Sequence, residues 1–157
     1  QSLRVPLIIY DPRLPESRQG RVSDAKVLNL DFPSTFLDWA DAKIPDRYQG
    51  RSLVPLVSGE ASENWRQETF HEHVALRPNI SWEGLRDDQF KYARYFDQQP
   101  AFEFLHDLKT DPDELVNLAS DPKFAATLAE YRNRCQRRVE QYGGPLADFK
   151  PKKTGRK

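Results

Sequence analysis

The period of the hydrophobic pattern changes along the chain, and each change marks a predicted element. From residue 67 to residue 108, apolar and polar residues alternate with a period of two, which is typical of half-buried strands. Polar connections at residues 87–89 and 97–100 have the length of hairpin turns. The pattern predicts a four-stranded antiparallel meander, with strands near residues 69–76, 82–86, 90–96 and 102–108.

A helical period of three to four residues begins after Asp121 and predicts a C-terminal helix. Asp121 and Pro122 are residue types preferred at the N-cap and first position of a helix, and Gly143 and Gly144 end the pattern. The apolar residues of this segment share one face: Phe124, Leu128, Tyr131, Cys135, Val139 and Tyr142. We expect this face to pack on the meander, which makes Cys135 a buried and unreactive thiol.

The first third of the chain has a different pattern. Residues 3–10 form a continuous apolar run that predicts a buried strand of an α/β sheet, and residues 22–27 predict a short second strand. A helix is predicted over residues 31–42, with Asp31 as its N-cap and Pro33 in its first turn. Its apolar positions form a stripe, expected to be buried: Phe32, Phe36 and Trp39 or Ala40.

Composition excludes several classes of protein. Nine Phe, six Tyr and three Trp in 157 residues supply enough apolar surface for a folded core. The 24 basic and 24 acidic residues balance, so no overall basic field indicates a nucleic-acid partner. No run is apolar and long enough to predict a membrane partner, and the single cysteine cannot form an internal disulfide. The last residues, 147–157, are basic and predict a disordered tail.

Four short segments of the chain follow one another in a characteristic order. Residues 103–119, EFLHDLKTDPDELVNLA, are similar to the last strand, turn and helix start of sulfatases. The other three segments are similar to the family's RVPLII strand, its DxxPTxLD helix and its QGxSLxPLL segment: residues 4–10, 31–38 and 49–56. The resemblance implies an α+β fold, in which a strand and helix of an α/β sulfatase core precede a four-stranded antiparallel sheet packed by a C-terminal helix.

The same resemblance implies that the chain has two parts and that the catalytic groups lie outside it. Residues 1–62 correspond to the end of the α/β catalytic domain, and residues 63–146 to the small C-terminal subdomain. Sulfatases use a formylglycine nucleophile, made in a Cys/Ser-x-Pro-x-Arg motif, and a calcium ion. The sequence after Cys135 lacks that proline and arginine, so we expect no catalytic residue and no metal ligand in this chain. The resemblance also implies a missing N-terminal catalytic region and a periplasmic or extracellular location.

Three residues are candidates for binding substrate. His71 and His73 are two apart on a predicted strand, so they share one face of the sheet. A third metal ligand is not evident beside them, which favours hydrogen bonding to substrate over zinc. Arg77 follows on the same strand, and its guanidinium suits a sulfate or an anionic sugar. The structural alternatives are partly exposed strand histidines and an arginine that pairs with an acidic residue across the sheet.

Three functions are compatible with the sequence. The first is the C-terminal segment of a sulfatase, acting on a sulfated carbohydrate or another sulfate ester and inactive without the rest of the enzyme. The second is the corresponding segment of a phosphoester or phosphonate hydrolase of the same alkaline-phosphatase-like superfamily. The third is a free-standing binding module for sulfated glycans. Tyr92, Tyr95 and Phe104 belong to an aromatic cluster that predicts either a core or a sugar-stacking surface.

Overall fold

The computed structural model of the chain describes residue 3 and residues 5–60, 64–74 and 80–144. The chain divides into two compact units, residues 1–66 and residues 67–157. The predicted tail, residues 147–157, lies outside the described residues.

The first unit contains two α-helices, α1 (Asp31–Trp39) and α2 (Val54–Ser58). The predicted strands at residues 3–10 and 22–27 are wrong, because none of the described residues of this unit forms a strand. A strand requires a neighbouring strand to bond its backbone, and neither run pairs with one here. Several of their apolar side chains are exposed instead, including Ile8 (90%) and Val22 (93%).

The face that helix α1 buries most completely is not the predicted apolar stripe. Its buried residues are Asp31, Ser34 and Thr35, while Phe36 of the apolar stripe is 64% exposed. The cause is the first turn: Asp31 lies inside the helix and not at the N-cap, where Leu30 stands, and its carboxylate is bound from several directions within the unit. The helix also ends at Trp39, three residues earlier than predicted, before Asp41 adopts a left-handed φ of 51°.

The second unit is the predicted meander. Its strands are β1 (Thr69–His73), β2 (Trp82–Arg86), β3 (Phe90–Tyr95) and β4 (Phe102–Asp107), and they pair antiparallel in chain order. One register row runs through all four strands: Phe70, Leu85, Tyr92 and Leu105. The alternation in the sequence thus places these side chains on one face, which carries the core.

Helix α3 (Ala125–Gln141) covers that face, as predicted. Leu128, Tyr131 and Cys135 of the helix form one buried cluster with the apolar side chains of the sheet, Leu85, Tyr92 and Leu105. The helix is preceded by a 3-10 turn, Pro122–Phe124, and the carboxylate of Asp121 accepts a hydrogen bond from the backbone N–H of Lys123. The α+β fold class predicted from the sequence is confirmed by this sheet and helix.

Candidate functional site

The candidate site is the other face of the sheet, which we call the outer face. Two register rows define it. The first row contains Thr69, Arg86, Lys91 and His106, and the second contains His71, Gly84, Ala93 and Phe104. His73 and Trp82 face each other beyond the second row. The outer face therefore combines histidine, cationic and aromatic side chains, and it lies on the opposite side of the sheet from α3.

Gly84 allows the two central strands to approach closely in the second row. A Cβ atom at this position would lie 2.2 Å from the carbonyl oxygen of Tyr92 and 2.8 Å from the Cβ of Ala93. Ala93 itself is 1% exposed. The centre of the outer face therefore consists of two small residues, Gly84 and Ala93. His71 lies on one side of them and Phe104 on the other.

The two predicted histidines share this face but have different surroundings. His71 is half-buried, and its Nε2 lies 2.8 Å from the hydroxyl oxygen of Thr69. Burial lowers the pKa of His71, and the nearby charges of Arg86 and Lys91 lower it further. The ring is therefore neutral at pH 7 and offers hydrogen bonding rather than charge.

His73 is exposed at the end of β1. Its ring stacks on Trp82, with the centroids 6.0 Å apart and the planes inclined by 23°. Arg77, the third predicted residue, lies outside the described residues. In the part of the chain that the structure describes, no three histidine, cysteine or acidic side chains come together as metal ligands.

Two cations, Arg86 and Lys91, lie directly opposite each other in the first row. The ammonium of Lys91 is 2.5 Å from a carboxylate oxygen of Glu114 and 5.6 Å from the centre of the Phe104 ring. No carboxylate among the described residues pairs with the guanidinium of Arg86. The outer face therefore carries an excess of positive charge at Arg86.

The loop after β4 places Glu114 beside Lys91. Asp111 accepts hydrogen bonds from the backbone N–H groups of Leu115 (3.1 Å) and Val116 (2.8 Å). Glu114 adopts a left-handed φ of 57° inside this turn, which is unusual for a residue with a side chain. The helix start that the resemblance implies for residues 103–119 is a short 3-10 turn at Leu118–Ser120.

Asn117 anchors the end of the same loop to β4. Its side-chain oxygen accepts hydrogen bonds from the N–H groups of Leu105 (3.1 Å) and Ala119 (3.0 Å). Its amide nitrogen donates to the carbonyl oxygen of Glu103. Asp111 and Asn117 of the 103–119 motif thus make backbone hydrogen bonds that hold the loop beside the outer face.

Arg94, a further cation of β3, belongs to the α3 side of the sheet. Its guanidinium binds Glu83 across the β2–β3 pair, with 2.6 Å between Nε and Oε1, and Gln136 of α3 at 2.7 Å. Glu83 is only 2% exposed. This is the kind of cross-strand pairing that the sequence left open for Arg77, and it leaves Arg94 outside the candidate site.

A second charged cluster was not predicted. Arg134 of α3 binds Glu68 and Asp87, and its guanidinium lies 4.3 Å from the centre of the Tyr131 ring. These residues border an open cleft of about 780 Å³. The cluster ties α3 to the residue before β1 and to the β2–β3 turn. The charges satisfy one another, so we assign the cluster to stability.

No helix that the structure describes combines the length and the apolar character that a membrane span needs.

Comparison with known proteins gives the family. Residues 1–141 match the family model described as N-sulphoglucosamine sulphohydrolase, C-terminal. The chain is 29% identical over 144 residues to an N-acetylglucosamine-6-O-sulfatase of Bacteroides thetaiotaomicron, a match that covers 88% of this chain and 25% of that protein. The chain therefore spans about a quarter of the length of this relative.

Two solved structures share the fold. One is BT4656 in complex with its substrate D-glucosamine-2-N,6-O-disulfate, at 26% identity and a TM-score of 0.64, with 71% of this chain and 24% of that chain covered. The other is a phosphonate monoester hydrolase of Silicibacter pomeroyi, at 30% identity and a TM-score of 0.62, with 71% and 24% covered. Since the family model covers most of the sequence, the chain belongs to the sulfatase family, as the C-terminal portion of such a protein.

Proposed function

We propose that this chain is the C-terminal segment of a sulfuric ester hydrolase and that it forms one wall of the substrate pocket. The outer face carries the proposal, because it combines His71 and His73 with the cation Arg86. Arg77 follows β1 in the sequence and completes the predicted set. A neutral histidine can bind sugar hydroxyls, and a guanidinium binds sulfate through parallel hydrogen bonds. The substrate class that this combination favours is a sulfated carbohydrate, the class bound in the BT4656 complex.

We assign the nucleophile and the calcium ion of the proposed enzyme to a region N-terminal to this chain. The described residues do not fit a calcium site, since no three of their acidic or histidine side chains converge. The sequence after Cys135 does not fit the formylglycine motif either. When bound, calcium would act as a Lewis acid on the sulfate oxygens, whereas the residues of this chain would orient the organic part of the substrate.

Exposed apolar side chains supply the surface on which that region would pack. Val5, Ile8 and Tyr10 are 69%, 90% and 82% exposed, and Phe36 is 64% exposed. Burying a side chain of this kind contributes roughly 1.5–3 kcal/mol, so their covering would stabilise the association. We further propose that the enzyme acts in the periplasm or outside the cell, and fractionation of the source organism would test the location.

The decisive experiment compares the 157-residue chain with the full-length gene product. Both are assayed with 4-nitrophenyl sulfate and with D-glucosamine-2-N,6-O-disulfate, with and without calcium. We expect calcium-dependent sulfate release from the full-length protein and none from the chain alone. Turnover that follows the isolated chain through purification would contradict the assignment of the nucleophile.

A second candidate is a phosphonate or phosphoester hydrolase, favoured by the similarity to the Silicibacter enzyme. Phenyl phosphonate esters, tested beside the sulfate esters, separate the two. A full-length protein that hydrolyses phosphonate esters faster than every sulfate ester would establish this alternative. A protein that hydrolyses neither but retains sulfated glycans on a column would indicate a binding module.

A further inference from the structure

The position of Arg86 requires an explanation that the fold does not provide. Arg86 is the last residue of β2 and is half-buried on the outer face. Directly opposite it, in the β2–β3 register, lies a second cation, Lys91. Like charges facing each other across a sheet are destabilising, and a half-buried charge without a partner adds to that cost.

The neighbouring acid does not neutralise the pair. Glu114 binds Lys91 at 2.5 Å, and among the described residues no carboxylate binds Arg86. Arg94, on the α3 side of the same two strands, shows the contrast, because Glu83 lies directly opposite it and binds it. The sheet thus supplies Arg94 with a carboxylate, whereas the described residues supply none to Arg86 on the outer face.

His71 lies on the adjacent strand and offers the complementary group. The Thr69 hydroxyl oxygen lies 2.8 Å from Nε2 of His71 and 3.4 Å from the carbonyl oxygen of Arg86. In the tautomer with the hydrogen on Nε2, the hydroxyl accepts from the ring and donates to that carbonyl. In the neutral ring this leaves Nδ1 as an acceptor. Arg86 and His71 are diagonal neighbours on the outer face, since His71 pairs with Gly84 and Thr69 with Arg86.

We propose that Arg86 and His71 form a binding subsite for a saccharide that carries an anionic group beside a free hydroxyl. Arg86 binds the sulfate or carboxylate oxygens, and Nδ1 of His71 accepts the hydrogen of the hydroxyl. The anion also relieves the repulsion between Arg86 and Lys91. The subsite rests on the proposed function, because it recognises a second anionic group of the substrate and not the ester that is cleaved.

The test uses the full-length gene product with two substrates. D-Glucosamine-2-N,6-O-disulfate carries a second sulfate, whereas 4-nitrophenyl sulfate does not. The ratio of the two kcat/KM values is measured for the wild type, Arg86→Gln, Arg86→Lys and the control Arg137→Gln. Arg137 is an exposed cation on α3 with no ion pair among the described residues, so its replacement makes the same change in charge.

We expect Arg86→Gln to lower the ratio at least about tenfold, mainly through KM, because a hydrogen bond to a charged group is lost. Arg86→Lys should recover part of the ratio, and Arg137→Gln should keep the wild-type ratio. An unchanged ratio in Arg86→Gln overturns the subsite. So does an equal loss on both substrates together with a lower melting temperature, which would mean a structural role. Replacing the second sulfate of the sugar by a carboxylate tells which anion the site prefers.

A separate binding experiment tests the subsite if the protein proves not to be a sulfatase. If the wild type hydrolyses neither sulfate ester, the affinity for D-glucosamine-2-N,6-O-disulfate is measured by calorimetry. Binding that is lost in Arg86→Gln and kept in Arg137→Gln would retain the subsite without the hydrolase. Binding that is equal in all variants, or absent from the wild type, would reject it.

Discussion

The guanidinium of Arg66 binds both oxygens of the Asp31 carboxylate, with 2.5 Å from Nη1 to Oδ2 and 2.7 Å from Nη2 to Oδ1. The same carboxylate accepts backbone hydrogen bonds from Leu28 at 2.7 Å and from Arg51 at 2.8 Å. Asp31 is completely buried. Burial opposes its ionisation, but the hydrogen bonds outweigh burial and lower the pKa of Asp31. One side chain thus joins three separate segments of the first unit.

We predict that Asp31→Asn destabilises the first unit by about 3–5 kcal/mol, because it leaves the Arg66 charge without its partner. The control is Asp38→Asn, the same change on the exposed side of α1, where Asp38 accepts a hydrogen bond from Ser52. Amide exchange at Arg51 and Leu28 is the measurement. Protection that is lost in the Asp38 variant and kept in the Asp31 variant would contradict the prediction.

The sequence could predict the second unit because its signals are local. Alternation fixed the four strands, and the spacing from Phe124 to Tyr142 fixed the buried face of α3, so Cys135 lies where predicted. The first unit could not be predicted in this way. The apolar run at residues 3–10 shows that a strand is possible but not which backbone would pair with it, and the buried face of α1 depends on Arg51 and Arg66, which are distant in sequence.

The candidate site could likewise be predicted only in part. A period of two places His71 and His73 on one face, and the structure has them there. The pairing of Lys91 with Glu114 could not be predicted from the sequence, because a loop brings Glu114 to Lys91 from 23 residues further along the chain. Once that pair is known, Arg86 is the member of the Arg86–Lys91 pair that no carboxylate of the described residues binds. The substrate role of His71, His73 and Arg77 stays a prediction.

We predict that Arg134→Met destabilises the second unit by about 1–3 kcal/mol. The change leaves Glu68 and Asp87 without their shared cation, and lost hydrogen bonds to charged groups have this magnitude. Arg137→Met is the matched control, since Arg137 lies on the same helix and is exposed. Urea unfolding of both variants gives the difference. Equal midpoints would mean that the cluster contributes nothing to stability.

The lowered pKa of His71 predicts a pH dependence of stability. In the unfolded chain the ring binds a proton near pH 6.5, but in the folded protein it does so only at lower pH. The unfolded state then holds more protons within that interval, so stability falls as the pH drops from 6.5 through the folded pKa. Comparing the free energy of unfolding at pH 7.5 and pH 5 isolates the effect. The wild type should lose more stability than His71→Gln. An equal loss in the wild type and His71→Gln would exclude this role.

Cys135 provides the last prediction, which concerns the packing of α3 on the sheet. The thiol is completely buried in the cluster with Leu85, Tyr92 and Leu105, and burial raises its pKa to about 12. Since the thiolate is the reactive form, a disulfide reagent should label the native protein far more slowly than the urea-unfolded protein. Equal labelling rates in both states would mean that the interface between α3 and the sheet opens readily.

Substitutions at Cys135 test the same interface by size and charge. Cys135→Ala removes a small buried group and should cost on the order of 1 kcal/mol in the free energy of unfolding. Cys135→Arg should prevent stable folding of the second unit, because it drives a charge into an apolar contact. Ala129→Arg, on an exposed position of the same helix, controls for the added side chain and should leave the melting temperature nearly unchanged. A Cys135→Arg protein that melts like the Ala129→Arg protein would show that α3 does not pack on the sheet through this face.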